Sequence, residues 1–203
     1  MVSHEEGLHE GGTPLDIVDR PLIVYKVGVL GCAPLEFFDT LADQYGMGFV
    51  SSDEIRSELM QEQAGPVRMN KIWARVAKET AANLADGKDT AVDMFFNALK
   101  SRRQPQRLAK EAGGLSMALW INTPYRLAKN RVEQWTEEDA FVVPVRQWDI
   151  PPVQATKTMI NHIVGPANGE ADYVFKLNGD TDTDGLLEQF DEQMAAHGLL
   201  DEE

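Results

Sequence analysis

The stretch Tyr25–Phe38, "YKVGVLGCAPLEFF", decides how the rest of the chain is read. An apolar run meets Gly28 and Gly31, and an amphipathic pattern follows. The run begins at Pro21, and "PLIVYKVGV" at 21–29 is short, apolar and rich in β-branched residues, the pattern of a strand buried on both faces of a parallel sheet. From 34 to 45, Leu35, Phe38, Leu41, Ala42 and Tyr45 recur on one helical face, with Pro34 suited to a first turn and Gly46 to a stop. The stretch therefore predicts a strand, a glycine turn and a helix.

The same alternation continues along the chain. "MGFVSSDEIRSELM" at 47–60 predicts a brief strand and a helix capped by Ser52 or Asp53. A longer amphipathic helix is expected at 67–85, closed by Gly87. Strands are expected at 89–96, 115–123 and 171–177, and helices at 98–112, 125–135, 151–163 and 184–197. No internal repeat interrupts this order. Strands alternating with helices five times over imply an α/β fold, doubly wound, with a mostly parallel five-stranded sheet flanked by helices. The expected organisation is a flexible acidic arm at 1–20 and one domain at 21–200, with a lid region around 125–150.

Composition narrows the setting. The chain of 203 residues has 33 acidic and 19 basic residues, a net charge of -14. Residues 1–20 carry -4 and residues 180–203 carry -9, so the body between them is nearly neutral and can accept an anionic ligand. The acidic ends read as solubilising segments. No apolar run is long enough to span a bilayer, and the polar start lacks the order of a secretory signal. Cys32 is the single cysteine, which excludes an internal disulfide framework and a multi-cysteine zinc site. A cytoplasmic protein with no membrane partner and no bound metal is expected.

In a parallel α/β fold, ligands gather at the carboxyl ends of strands, where a helix N-terminus follows. The phosphate loop G-x-x-x-x-G-K-[ST] uses backbone N–H groups, a lysine and a hydroxyl there. Aligned from Gly28, this chain has Ala33, Pro34 and Leu35 at the positions of Gly, Lys and Ser/Thr. Pro34 offers neither an N–H nor a charge, and Leu35 cannot hold magnesium. The replacement favours a packed helix start, with Leu35 on its buried face, over an anion cradle.

Further motifs carry a resemblance. "SSDEIR" at 51–56 follows the loop; "TAVDMFFNALKSRR" at 90–103 is a strand with a basic helix; "LWINTPYRLAKNRV" at 119–132 is a strand, a Thr-Pro and an arginine-bearing helix; "WDIPP" closes at 148–152. From about Pro21 to Leu177 the chain resembles the P-loop kinases related to phage and bacterial polynucleotide kinases, the zeta toxins and the predicted-kinase group. The resemblance implies that Asp53 is the general base toward a substrate hydroxyl and that Arg56 contacts substrate or the transferring phosphate. It implies a catalytic-site role for Asp93, although Phe95 and Phe96 stand where Thr and Asn are usual. It makes Gly28, Gly31, Arg126 and Arg131 nucleotide- or phosphate-binding candidates, with Lys26 as an unorthodox substitute for the missing lysine.

Three functions are consistent with these residues. One is a degenerate kinase-fold protein that lacks ordinary ATP-dependent transfer and keeps a nucleotide or nucleic-acid pocket around Asp53 and Arg56. Another is an active phosphotransferase on a nucleotide or DNA hydroxyl, which alone would need ATP and magnesium as cofactors. The last is a scaffold acting through a protein partner. A phage origin, implied only by the family resemblance, would place the protein in a host cytoplasm. Lys26 otherwise ends its strand toward solvent, and Cys32 reads as a buried small apolar residue before it reads as a nucleophile. Lys100, Arg102, Arg103, Arg107 and Lys110 form either the solvated face of a helix or a track for a nucleic-acid backbone. The methionines read as core filler and the four tryptophans as core or lid packing.

Overall fold

The computed structural model describes residues 20–63, 67–135 and 151–200. The expectations for the arm up to residue 19 and for the lid segment at 136–150, Trp148 included, fall outside the described residues. Five strands, β1 (Leu22–Val27), β2 (Gly48–Ser51), β3 (Thr90–Phe95), β4 (Leu115–Asn122) and β5 (Tyr173–Asn178), form one sheet in the order β2-β3-β1-β4-β5. Every pairing is parallel. Seven helices are seen among the described residues: α1 (Phe37–Gln44), α2 (Ser52–Gln63), α3 (Met69–Ala85), α4 (Leu99–Glu111), α5 (Tyr125–Glu133), α6 (Pro152–His162) and α7 (Thr183–Ala196). The doubly wound α/β architecture expected from the sequence is the one observed.

The central strand shows why the apolar run has no alternation. Leu22 and Val24 pack with Phe38 and Leu41 of α1 and with Leu186 and Phe190 of α7. Ile23, Tyr25 and Val27 pack on the opposite face with Ile72 and Val76 of α3 and Leu108 of α4. A strand covered on both faces has no side to leave polar. After β1 the chain builds β2 and β3 to one side, then crosses to β4 and β5 on the other. The carboxyl end of β1 is therefore the point at which the winding changes direction, the place where this architecture opens a crevice.

Two helix starts differ from the sequence expectation. Helix α1 begins at Phe37 rather than Pro34, because residues 34–37 form a turn closed by the Phe37 N–H on the Pro34 carbonyl at 3.3 Å. The turn gives the core positions to Phe37, Phe38, Leu41 and Ala42 and leaves Leu35 42% exposed, not buried as its spacing suggested. Glu36 completes this corner by accepting from the Thr183 hydroxyl of α7 at 2.7 Å. Helix α2 is capped neither by Ser52 nor by Asp53. Its N-terminal donors Asp53 N and Glu54 N both point to Ser51 Oγ at 3.3 Å, since β2 runs to Ser51 before the helix begins. That leaves the Asp53 side chain free for a different partner.

The basic helix carries another correction. Arg102 does not belong to a solvated face: it is 1% exposed and ion-paired with Glu170. Its Nη1 also donates to the carbonyls of Phe96 (3.3 Å), Asn97 (2.9 Å) and Val164 (2.9 Å). The helical period puts Arg102 on the stripe of Pro105, Leu108 and Ala109, facing the sheet. Lys100, Arg103 and Lys110 are exposed, and Arg107 lies 3.8 Å from Glu111 one turn on. Of the tryptophans, Trp73 packs edge-on against Phe96 and Trp120 lies under the Lys176 ammonium.

Candidate functional site

At the carboxyl ends of β1 and β3 the ladder breaks. Register runs from Ile23 with Thr90 to Tyr25 with Val92, then jumps to Lys26 with Phe95. Asp93 and Met94 bulge out against β1, while Asp93 still pairs with Ser51 of β2 on its other side. Bulges re-aim side chains and occur beside functional sites. This one brings the Asp93 carboxylate onto the Lys26 ammonium as an ion pair. The ammonium also lies 4.4 Å from the centre of the Phe95 ring and 5.2 Å from that of Phe38. Burial alone would depress the Lys26 pKa, but the Asp93 carboxylate, with smaller help from its other neighbours, holds it above the ordinary value. Lys26 therefore does not end its strand toward solvent; at 13% side-chain exposure it is an interior cation with a fixed partner.

A second ion pair stands beside the first. In the opening turn of α2, Asp53 Oδ1 accepts from Arg56 Nη1 at 2.5 Å, and the Arg56 side chain is 7% exposed. The Arg56 Nε is buried and has no hydrogen-bond partner among the described residues. Burial pushes the Asp53 carboxyl up to about 7; the Arg56 charge opposes the shift and the Asp93 carboxylate adds to it. The fold thus gathers Lys26, Asp53, Arg56 and Asp93 from three elements into one corner.

The glycine loop turns its polar groups inward. The Gly28 N–H donates to Asn97 Oδ1 at 3.0 Å, and the Cys32 N–H to the Val29 carbonyl at 2.9 Å. A Cβ at Gly28 would approach the Cys32 sulfur to 2.6 Å, so glycine is what lets the thiol pack there. Gly31 sits at φ +77°, and a Cβ there would strike the Ala128 carbonyl oxygen of α5. Arg131 donates to the carbonyls of Gly31 (3.3 Å) and Cys32 (3.0 Å) and to that of Thr181, while the Thr123 hydroxyl donates to the Cys32 carbonyl at 2.6 Å. Arg131 is a tether of the loop in this structure; Arg126 is exposed and makes no ion pair with the described residues.

What remains between the loop and the ion pairs is a cleft of about 70 Å³, lined by Lys26, Gly31, Ala33, Pro34, Asp53 and Asp93. That is well below the several hundred cubic ångströms usual for a ligand pocket. Cys32 is 2% exposed, and burial pushes its thiol up to about 11, so it is a neutral packing group. Iodoacetamide labelling of Cys32 is accordingly expected only in denaturant; rapid alkylation of the native chain would contradict this burial.

A larger cavity of about 330 Å³ adjoins the corner on the side of α2. Its walls come from Arg56 and Ser52, from Met94 in the bulge and Phe95 after it, from Asn97 just before α4, and from Ala155, Met159 and His162 of α6. The sequence reading missed Met94, Met159 and His162. The methionines were legible only as apolar residues, and nothing in local spacing showed that they would face an opening rather than the core.

The family comparison agrees with this architecture. A family model described as an AAA domain matches residues 27–150, more than half of the chain. No curated protein matches the sequence. Among solved structures, a putative kinase from Chloroflexus aurantiacus aligns with a TM-score of 0.66 at 11% identity, covering 85% of this chain and 97% of its own. APS kinase from Mycobacterium tuberculosis aligns at 0.57 and 17%, covering 88% and 98%, and shikimate kinase from Acinetobacter baumannii at 0.52 and 18%, covering 90% and 96%. At these identities the likeness is one of fold. With the family match over residues 27–150, the chain belongs to the AAA-domain family and has a P-loop kinase-like fold related to that of small-molecule kinases.

Proposed function

We propose that this is a degenerate P-loop kinase-fold protein that does not carry out ordinary ATP-dependent transfer and keeps a nucleotide pocket on the acceptor side, at Asp53 and Arg56. The observation that carries the reading is the closed loop. Its Gly28 and Cys32 donors are spent within the chain, Pro34 has no N–H, and Lys26 is committed to Asp93. Hydrogen bonds to charged groups contribute about 1.5–3 kcal/mol each, so losing a backbone donor and the lysine contact lowers ATP affinity by about two orders of magnitude or more. On the other side, the cavity of about 330 Å³ has the volume and apolar walls for a nucleobase, and its wall includes Arg56, which is paired with Asp53 through Nη1 and keeps a buried Nε without a hydrogen-bond partner among the described residues. Lys100 and Arg103 are exposed on the helix whose start lines that cavity, which suits a nucleotide held within a nucleic-acid strand as well as a free one.

A thermal-shift screen of nucleoside mono- and triphosphates, with and without magnesium, tests the reading. The unmodified chain is expected to be stabilised by a monophosphate or a short oligonucleotide, by about 2.7 kcal/mol at one hundred times its Kd, and not by Mg-ATP. Arg56→Ala is expected to weaken that ligand, and the triple change Ala33→Gly, Pro34→Lys, Leu35→Ser to bring ATP binding back. The near-neutral pKa of Asp53 favours a second reading, active transfer, because a base poised near 7 suits proton abstraction. Saturable Mg-ATP binding by the unmodified chain, with phosphate transfer abolished by Asp53→Ala, would establish it. A chain that answers to neither ligand but retains a protein partner would leave only the scaffold role.

A further inference from the structure

We infer that Lys26 is a built-in cation standing where a P-loop kinase fold would use a divalent metal, so that this corner operates without magnesium. The residues present do not fit a magnesium ion. Among the described residues, the two carboxylates lining the cleft each already hold a cation: Asp93 holds Lys26 and Asp53 holds Arg56. Leu35 stands where a liganding hydroxyl would be, and its apolar side chain has no oxygen to offer a metal. Among the described residues no three His, Cys, Asp or Glu side chains come together as a ligand group.

The space argues the same way. Magnesium keeps several of its waters when protein-bound, because it gives them up reluctantly. In the cleft of about 70 Å³ that Lys26, Asp53 and Asp93 share, the Lys26 ammonium already takes the Asp93 oxygen that such a hydrated ion would need. An ammonium needs no such shell. It is satisfied by one carboxylate and by the faces of Phe95 and Phe38, which attract a cation and keep water away from it. The bulge that swings Asp93 out of the β1 ladder delivers the carboxylate to this ammonium, while the pairing of Asp93 with Ser51 keeps it within two residues of Asp53 on the β2 side. A buried carboxylate requires a counter-charge, and here the chain supplies it covalently. Removing that charge leaves two acids facing one cleft, and one or two carboxylates with waters suffice for a weak magnesium or manganese site.

The inference concerns Lys26 and Asp93 whether or not a nucleotide binds nearby. Manganese binding to the full chain, followed by electron paramagnetic resonance, tests it. The unmodified protein is expected to bind manganese no more tightly than Asp93→Asn, in which any signal comes from acidic groups elsewhere. Lys26→Gln is expected to gain one site per chain, roughly tenfold tighter than anything in the unmodified protein, and to lose it again in Lys26→Gln/Asp93→Asn. A manganese site in the unmodified chain that disappears in Asp93→Asn would overturn the inference. So would a Lys26→Gln variant with native near-ultraviolet circular dichroism and no new site. The comparison of the unmodified chain with Asp93→Asn needs no lysine variant, so it decides the matter even where Lys26→Gln does not fold.

Discussion

Arg102→Ala is expected to lower the free energy of unfolding by about 3–5 kcal/mol, the range for breaking a buried ion pair by removing one partner. The guanidinium is 1% exposed, and its loss leaves Glu170 without its counter-charge and the carbonyls of Phe96, Asn97 and Val164 without their shared donor. Those carbonyls belong to the turn between β3 and α4 and to the segment after α6. The same guanidinium therefore fixes the distance between two walls of the larger cavity, the Asn97 wall and the α6 wall. Arg103→Ala, one residue on and exposed, is expected to stay within about 0.5 kcal/mol of the parent. Urea unfolding of both variants measures the difference; equal midpoints would show that Arg102 is not the bracket described here.

The stability of the chain is expected to fall as pH rises across the window set by Asp53. Its folded-state pKa, about 7, lies above the ordinary 3.8, so between those values the folded chain holds a proton that the unfolded chain has released. Stability from this group is fully present below the ordinary value and is lost as pH rises through the folded one. Three pH units at about 1.4 kcal/mol each give a swing on the order of 4 kcal/mol, with the opposing effect of Arg56 already contained in the folded-state value. Asp53→Asn also strips Arg56 of its partner, which lowers stability at every pH. The informative quantity is therefore the slope: it is expected to flatten in Asp53→Asn between pH 4 and 7, where the unmodified chain declines. Parallel slopes in the two proteins would place the Asp53 pKa near its ordinary value. The same proton decides chemistry, since only the ionised carboxylate can accept a proton from a substrate hydroxyl.

The two ion pairs give the corner its character. With Lys26 on Asp93 and Arg56 on Asp53, each cation of the corner has a carboxyl partner. The tethering of the loop by Arg131 and Thr123 adds rigidity where an ATP-binding loop must be free to wrap phosphates. Through these contacts the loop satisfies its own backbone, because an unpaired buried polar group is costly.

Much of this was legible in the residues alone. The parallel α/β order followed from apolar runs without alternation, and the loss of the donor lysine and of one N–H followed from Pro34 itself, whose chemistry is fixed by its own ring. The glycine turn was legible too, since Gly31 occupies a conformation that side chains disfavour. Local pattern fixes what depends on neighbours in the chain. It could not show that Lys26 turns inward, because its partner lies 67 residues away and reaches it only through a slip in register between two strands. Nor could it separate Arg102 from the other cations of its helix, since a basic side chain is buried only when a distant acid, here Glu170, arrives to meet it. The sequence by itself determined the scaffold and the replacement of the usual phosphate-loop residues by Ala33, Pro34 and Leu35. Only the tertiary structure decided which charges neutralise one another and where space is left for a ligand, because both depend on how separate strands and helices are registered against one another.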